Sequence, residues 1–374
     1  MKNSPKIPYF VKKENVYRRI VIKVGTNVLT KTDGRLDFTI ISNLVDQIAS
    51  LKNKGVEVIL VSSGAVGAAR SLLPNLDQLN KIVRRQLLSS VGQIRLLNVY
   101  QTFFANYDLF CAQVLATKED FRDRQHYLNM KECLLALQRP DLIPIVNEND
   151  VIAIDELMFT DNDELAAWIA SMLSAEALFI LTNVDGLLTG HPDASESELI
   201  PEIDPGDEQI LEYIAPSTSS FGRGGMATKF HTAQKVARLG ITTYIANGKR
   251  SNTIVDILQG KTRIFTKVRA SHTKSNLKKW MAFDESPAPA RVIINEGAER
   301  ALRNTQTVNS LLPVGILQIE GDFQKGDLLE IYNTAEVFIG RGLAQYDSTQ
   351  ARQWLGQNDQ KPLIHYDHLL IGNY

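Results

Sequence analysis

Apolar positions along this chain follow two alternating rhythms. The stretch RRIVIKVGTNVL carries a short run rich in β-branched residues that stops at Gly25, the pattern of a buried strand entering a tight turn. Phe38, Ile41, Leu44, Val45, Ile48 and Leu51 then recur at three- and four-residue spacing, which places them on one helix face. Gly55 ends that helix, and VEVILVSSG predicts a second buried strand running into a glycine turn. The spacing goes on to predict a helix over 82–104, a strand at FCAQVLA, a helix near 124–138, a strand at LIPIVN, a helix over 163–174 and a strand at ALFILT. After residue 225, Ala227, Phe230, Ala233, Val236, Ala237 and Leu239 mark one more helix, followed by the strand ITTYIA.

Apolar strands alternating with amphipathic helices imply an α/β fold, a mainly parallel sheet covered on both faces in an αβα sandwich. Ligands in such sheets bind at the carboxyl ends of the strands. The segments to watch are therefore Gly25 to Asn27, Ser62 to Gly64, Asn147 to Asp150 and Thr182 to Gly186. Near residue 260 the rhythm stops. Lys261 to Lys279 holds seven Lys or Arg and no acid, and short β-like runs follow: ARVIIN, VGILQIE, DLLEIYN and AEVFIGRGLAQY. Turns at SLLPVG, GDFQKGD and NTAE separate them, so residues 280–374 read as a small mostly-β domain. The expected organisation is an extension over 1–18, an α/β domain over 19–262, a basic linker over 263–279 and the β domain over 280–374.

Composition narrows the function classes. The 374 residues carry 41 Lys or Arg and 42 Asp or Glu, a net charge of −1, with 44 % apolar and 22 % charged residues. That is an ordinary globular balance, not a disordered chain. From Leu277 onward nine Lys or Arg face twelve Asp or Glu, so that part of the chain, the β domain with the last linker residues, carries −3 and the remainder +2. An acidic β domain weighs against nucleic acid as its partner, and the basic stretch 261–279 is what keeps that alternative open. Two cysteines, Cys111 and Cys133, make neither a disulfide framework nor a zinc site. The N-terminus lacks an apolar secretory core and no apolar run reaches about 18 residues, so a soluble, cytoplasmic protein with no membrane association is expected.

The candidate chemistry sits at the strand ends. No GxxxxGK[ST] loop is present, yet SSFGRGGMATK places a glycine-rich loop directly before a helix, where free backbone N–H groups suit phosphate. Lys229 falls in the first turn of that helix, against the helix dipole unless an anion lies near. Lys23 interrupts an otherwise apolar strand two residues before its turn, which is costly without a partner or a cavity. Asn147, Glu148, Asn149 and Asp150 form one acidic-amide cluster, and Asp161, Asn162 and Asp163 form another before a helix. Such clusters suit recognition of an amino group, magnesium coordination or orientation of lysines. Together these features point to phosphoryl transfer without a Walker motif, where catalysis is mostly positioning and charge neutralisation.

The motifs IKVGTNVLT, VSSGAVGA, RRQLLSSVGQ, LIPIVNENDVI, the Asp161–Asp163 triplet, LTNVDGL and GGMATK, in this order, resemble the glutamate 5-kinase family of the amino acid kinase superfamily. The C-terminal part, with SLLPVGI and the GDFQKGD turn, resembles a PUA domain. The resemblance implies an amino acid kinase fold and transfer of the ATP γ-phosphoryl group to the side-chain carboxylate of L-glutamate, the first step of proline synthesis, with Mg2+. It implies Lys23, Lys229 and Asp163 as catalytic residues, Asp163 orienting the two lysines. Ser63, Asp150 and Asn162 would hold glutamate. Lys23, Thr182, Asn183, Arg223, Gly224, Gly225, Met226, Ala227, Thr228 and Lys229 would hold ATP. The acceptor carboxylate is already ionised at neutral pH, so no general base is needed. Feedback inhibition by proline, a homo-oligomer (dimer or tetramer) and a glutamyl phosphate reductase partner are also implied. Departures from the family pattern fall at Thr160, Asn183, Arg223 and His191-Pro192.

Overall fold

A computed structural model of the chain describes residues 17–374 apart from 71, 154–158, 160, 191–196, 208–209, 211–224, 272–275, 284–287, 305–308 and 373–374. Strand β1 (Arg19–Val24) lies at the middle of the larger sheet. It pairs in parallel with β2 (Glu57–Ser62) on one side and β5 (Ala177–Thr182) on the other. Beyond β2 come β4 (Leu142–Glu148) and then β3 (Phe110–Ala116), both parallel. Beyond β5 comes β7 (Thr242–Asn247), also parallel. Strand β8 (Thr266–Val268) runs antiparallel to β7 and carries the two-residue β6 (Glu202–Ile203) on its outer side.

Parallel neighbours need long crossovers, and helices supply them. After β1 come α1 (Thr26–Leu29) and α2 (Phe38–Asn53); after β2 come α3 (Ala65–Arg70) and α4 (Lys81–Phe104). Helices α5 (Glu119–Arg122) and α6 (Arg124–Ala136) follow β3, and α7 (Asn162–Met172) follows β4. Helix α8 (Met226–Arg238) leads into β7, α9 (Thr253–Leu258) leaves it, and α10 (Asn276–Phe283) comes after β8. The alternation of β1 shows why both faces are covered. Ile20, Ile22 and Val24 join the core beneath α2 and α4, whereas Val21 joins the core beneath α7 and α8. Lys23, two residues after Val21, shares the α7 face.

The chain winds outward from β1 in both directions, so the crevice between β1 and β5 is a topological switch point at the carboxyl edge. The expected αβα sandwich with a mainly parallel sheet is present. So is a separate, mostly-β C-terminal part. Its five-stranded sheet has the order β10 (Ile316–Gly321), β9 (Ala290–Ile294), β11 (Leu328–Asn333), β12 (Phe338–Leu343), β13 (Leu369–Ile371). It also holds two helices that the β-like runs do not announce, α11 (Glu296–Arg303) and α12 (Ser348–Trp354). Asn295 caps the first by accepting from the Ala298 amide at 2.8 Å, and Asp347 caps the second by accepting from the Gln350 amide at 2.9 Å.

Within 263–279, suggested by its composition to be a linker, Thr266–Val268 forms β8 in the larger sheet. The Thr266 hydroxyl accepts from the Leu187 amide and donates to the Ile200 carbonyl, ties that local composition does not reveal. Lys267 and Arg269 of this stretch pair with Glu202 at 3.3 and 3.5 Å. Helix α10 buries Trp280 and Met281 in the core of the larger domain, beside Leu343 and Leu370 of the small sheet.

Candidate active site

Asp163 sits in the first turn of α7 with no exposed surface. Asp161 caps that helix, its Oδ1 accepting from the amides of Asp163 at 2.8 Å and Glu164 at 3.1 Å. The capping turn aims the Asp163 carboxylate at the carboxyl edge of the sheet. There Lys23, only 4 % exposed, places its Nζ 2.6 Å from Oδ1. From the opposite side Lys229, in the first turn of α8, donates to Oδ2 at 2.8 Å. One buried carboxylate thus serves two ammonium groups delivered by elements far apart in sequence. Burial alone would raise the Asp163 carboxyl, but Lys23 and Lys229 outweigh it and hold it well below the usual carboxylate range. Burial likewise works against the Lys229 ammonium, yet Asp163 more than compensates and its pKa is raised. Asp161 behaves in the opposite way: burial, and then the Asp163 charge, push it up to about 6, and its Oδ2 is buried with no hydrogen-bond partner among the described residues.

A chain of amides runs from this centre toward the end of β4. Asn162 Nδ2 donates to Ser63 Oγ at 2.8 Å and to Asn147 Oδ1 at 2.9 Å, and Asn147 Nδ2 donates to Gln93 Oε1 at 2.9 Å. Ser63 is held by its amide bond to the Val24 carbonyl and by the turn at Gly64, whose φ of +105° favours glycine. Helix α4 can lie close enough to take part because Gly92 has no side chain. A Cβ there would fall 1.7 Å from the Ala65 carbonyl oxygen. Further along α4, Ser89 donates to Asp150 Oδ2 at 2.9 Å, and Arg85 donates through one nitrogen to both Glu148 and Asp150. Burial, then the Asp150 charge, push Glu148 up to about 7.

On the other side of β1, Thr182 ends β5 one residue beyond the pairing of Val24 with Leu181, so it lies beside Gly25. Its hydroxyl is buried and its exposed neighbour Asn183 accepts from it at 3.3 Å. Gly225 is the N-cap of α8 and offers no side chain to its first amides, which fall at Met226, Ala227 and Thr228. Arg223 and Gly224 lie outside the described residues, as do Thr160 and His191-Pro192. Among the described residues no group of three or more His, Cys, Asp or Glu side chains is placed to hold a metal ion.

The amino acid kinase family pattern matches residues 18–247, and the PUA domain pattern matches residues 290–365. The chain is 50 % identical to glutamate 5-kinase of Chlorobaculum tepidum over 356 residues, covering 95 % of this chain and 98 % of that protein. The chain belongs to the glutamate 5-kinase family. Glutamate 5-kinase of Bacteroides thetaiotaomicron is 47 % identical over 357 residues, covering 95 % of this chain and 99 % of that one. The carbamate kinase of Giardia lamblia bound to AMP-PNP shares the fold at a TM-score of 0.50 and 17 % identity, over 68 % of this chain and 99 % of that chain.

For this member of the family, the structure gathers Lys23, Lys229, Asp163, Asn162 and Ser63 into one connected cluster, with Asp150 at the far end of the α4 contacts. Thr182 and Asn183 line the opposite side. Three participants are not among the site residues expected from the sequence: Arg85, Ser89 and Gln93. Their bonds span 54 to 65 residues of sequence. Their one local signature is that Arg85, Ser89 and Gln93 recur every four residues, a polar stripe on a helix face.

Proposed function

We propose that the chain transfers the γ-phosphoryl group of ATP to the side-chain carboxylate of L-glutamate, giving L-glutamyl 5-phosphate and ADP, the entry step of proline synthesis. The observation that carries this reading is the buried carboxylate of Asp163 shared by Lys23 and Lys229. Two ammonium groups converge on this buried carboxylate, which aims them where the charge of a phosphoryl group spreads over its oxygens during transfer. A carboxylate oxygen of glutamate attacks the γ-phosphorus, the bond from that phosphorus to the β,γ-bridging oxygen breaks, and the electron pair leaves with ADP. Lys23 and Lys229 neutralise the group in flight, while Asp163 keeps both ammonium groups aimed at it. Ser63, Asn162 and Asp150 hold glutamate. Thr182, Asn183 and the loop Arg223 to Lys229 hold ATP, with the uncapped first turn of α8 offered to its phosphates. Mg2+ travels on those phosphates and adds charge neutralisation there, in keeping with an ion that keeps most of its waters and needs few protein ligands.

Proline, an amino acid of similar size at its α-carbon end, is expected to compete at the glutamate position. A homo-oligomer is expected through the larger domain. An open apolar groove supports that reading: Phe38, Leu72, Val91, Ile94, Val99 and Phe103 line about 810 Å3, and Ile94 is 67 % exposed. The acyl phosphate is labile, which favours a reductase that consumes it directly. Nucleic acid is not expected at the acidic small domain. No helix among the described residues is long and apolar enough to cross a membrane, and a cytoplasmic location fits the substrates. Release of ADP tests the reaction. It should require glutamate and stay at background with carbamate, acetylglutamate or uridylate as acceptor; strong release with one of those instead overturns the assignment.

A further inference from the structure

A γ-carboxylate aimed at two lysines does not by itself distinguish glutamate from other acids carrying the same group. Discrimination must come from the other end of the substrate, which bears an ammonium and a carboxylate on one carbon. The stripe on α4 ends at that place. Gln93 is tied to Asn147, Ser89 to Asp150, and Arg85 to both Glu148 and Asp150. Ser89 and Gln93 are buried, at 4 % and 8 % exposure, whereas the Arg85 side chain keeps 27 % of its surface. Arg85 therefore stays partly open to solvent, one contact beyond Asp150.

The way Arg85 is used matters more than its position. A guanidinium offers five N–H donors in a rigid plane. Both carboxylates are reached through the same nitrogen, Nη2, and neither Nη1 nor Nε has a partner among the described residues. The Nε–H and Nη1 donors remain unused, one on either side of the shared nitrogen. The charges are also unequal, since two carboxylates face one guanidinium and leave room for a second cation. Arg85 thus keeps N–H donors for an anion, while the carboxylates of Glu148 and Asp150 keep lone pairs and charge for a cation. These are the two charges of an α-amino acid.

We infer that Arg85 is a specificity-determining residue: the unpartnered N–H donors of its guanidinium bind the substrate's α-carboxylate while Asp150 and Glu148 take the ammonium. The inference rests on the reading of glutamate as substrate. A purely structural Arg85, present only to hold Glu148 and Asp150 in place, makes a different prediction, and truncated substrates separate the two. Glutarate lacks the ammonium but keeps both carboxylates. 4-Aminobutyrate keeps the ammonium and the reacting carboxylate but lacks the α-carboxylate.

The test measures KM for glutamate and ATP, and competitive inhibition constants for glutarate and 4-aminobutyrate, in the wild-type protein, Arg85→Gln and Arg85→Lys. In Arg85→Gln the KM for glutamate and the constant for glutarate should both rise about 30- to 100-fold, as when a charged hydrogen-bonded pair is lost. 4-Aminobutyrate should change by less than about threefold or bind more tightly, because the acidic pair stays and loses its competitor. The KM for ATP should not move. Arg85→Lys should show the same pattern at smaller amplitude, since an ammonium keeps the charge without the planar fork. Its conservative charge also gives a readout should the glutamine variant fold poorly. Equal weakening of all three ligands in either variant overturns the inference and leaves Arg85 a structural brace. A wild-type protein that does not phosphorylate glutamate at all defeats the functional reading instead, independently of either variant.

Discussion

The two sheets of this molecule treat buried polarity in opposite ways. In the small C-terminal sheet, Val292, Ile294, Leu329, Ile331, Ile339, Leu363 and their neighbours form an apolar core. Among the described residues beyond 280, Ser348 is the one polar side chain in the buried set. Its ion pairs, such as Arg341 with Glu330 at 3.3 Å, keep contact with water. The carboxyl edge of the larger sheet instead buries Lys23, Asp163, Glu148 and Asp150 along with Ser62, Ser89, Gln93 and Asn147. Burying charge is costly and contributes little to stability when merely paired. Tolerance of that cost at one edge of one domain is what supports placing the chemistry there.

Substitutions can sharpen or break this contrast. The largest effect is expected at Asp163. Asp163→Asn leaves two ammonium groups in a dry site without their counter-charge and should lower unfolding stability by about 3–5 kcal/mol, read from urea melts. Loss of less than about 1 kcal/mol would mean that the lysines are not held there as described. Next, Lys23→Ala and Lys229→Ala should each lower kcat by on the order of 10²–10³-fold, the scale of losing one preorganised charge stabiliser. Unchanged kcat in both would remove them from the reaction.

A smaller effect is expected from pH. Glu148 is raised to about 7 by burial and by Asp150, so it gains its charge as pH rises through that value. The ionised form attracts the substrate ammonium. The KM for glutamate at saturating MgATP should therefore fall several-fold between about pH 6 and pH 8, and Glu148→Gln should flatten the profile. The sign for folding is the reverse. A carboxyl raised in the folded state favours the protonated form, so its contribution to stability is present at acid pH and lost as pH rises through about 7. The smallest effect belongs to the other sheet, where Glu330→Gln should change stability by less than about 1 kcal/mol and leave kcat untouched. A large loss there would erase the distinction between the two regions.

Much of this site is legible in the sequence, for physical reasons that apply residue by residue. Lys23 is conspicuous because a charge inside a β-branched run demands an explanation. Lys229 is conspicuous because it opposes a helix dipole. The partner they share is less visible: Asp163 reads locally as ordinary first-turn acid, and only the fold brings β1, α7 and α8 together around it. Arg85 and Gln93 are hidden further, because their meaning depends on Gly92 letting α4 lie against Ala65. Thr266–Val268 is hidden within a basic stretch because three residues pairing across the sheet leave almost no periodic signal. The helices α11 and α12 are short and sit among strands, so the period-two runs around them dominate. Local rhythm therefore predicts the elements, and long-range pairing decides which polar residues meet.

The central claim is that a carboxylate accepts phosphate between Lys23 and Lys229. Trapping the product with hydroxylamine tests it most directly. With ATP, Mg2+ and glutamate, the wild-type protein should yield γ-glutamyl hydroxamate, and Lys229→Ala should yield it at least about 100-fold more slowly while remaining folded. Absence of glutamyl hydroxamate from the wild-type protein, or an undiminished rate in Lys229→Ala, would contradict the account.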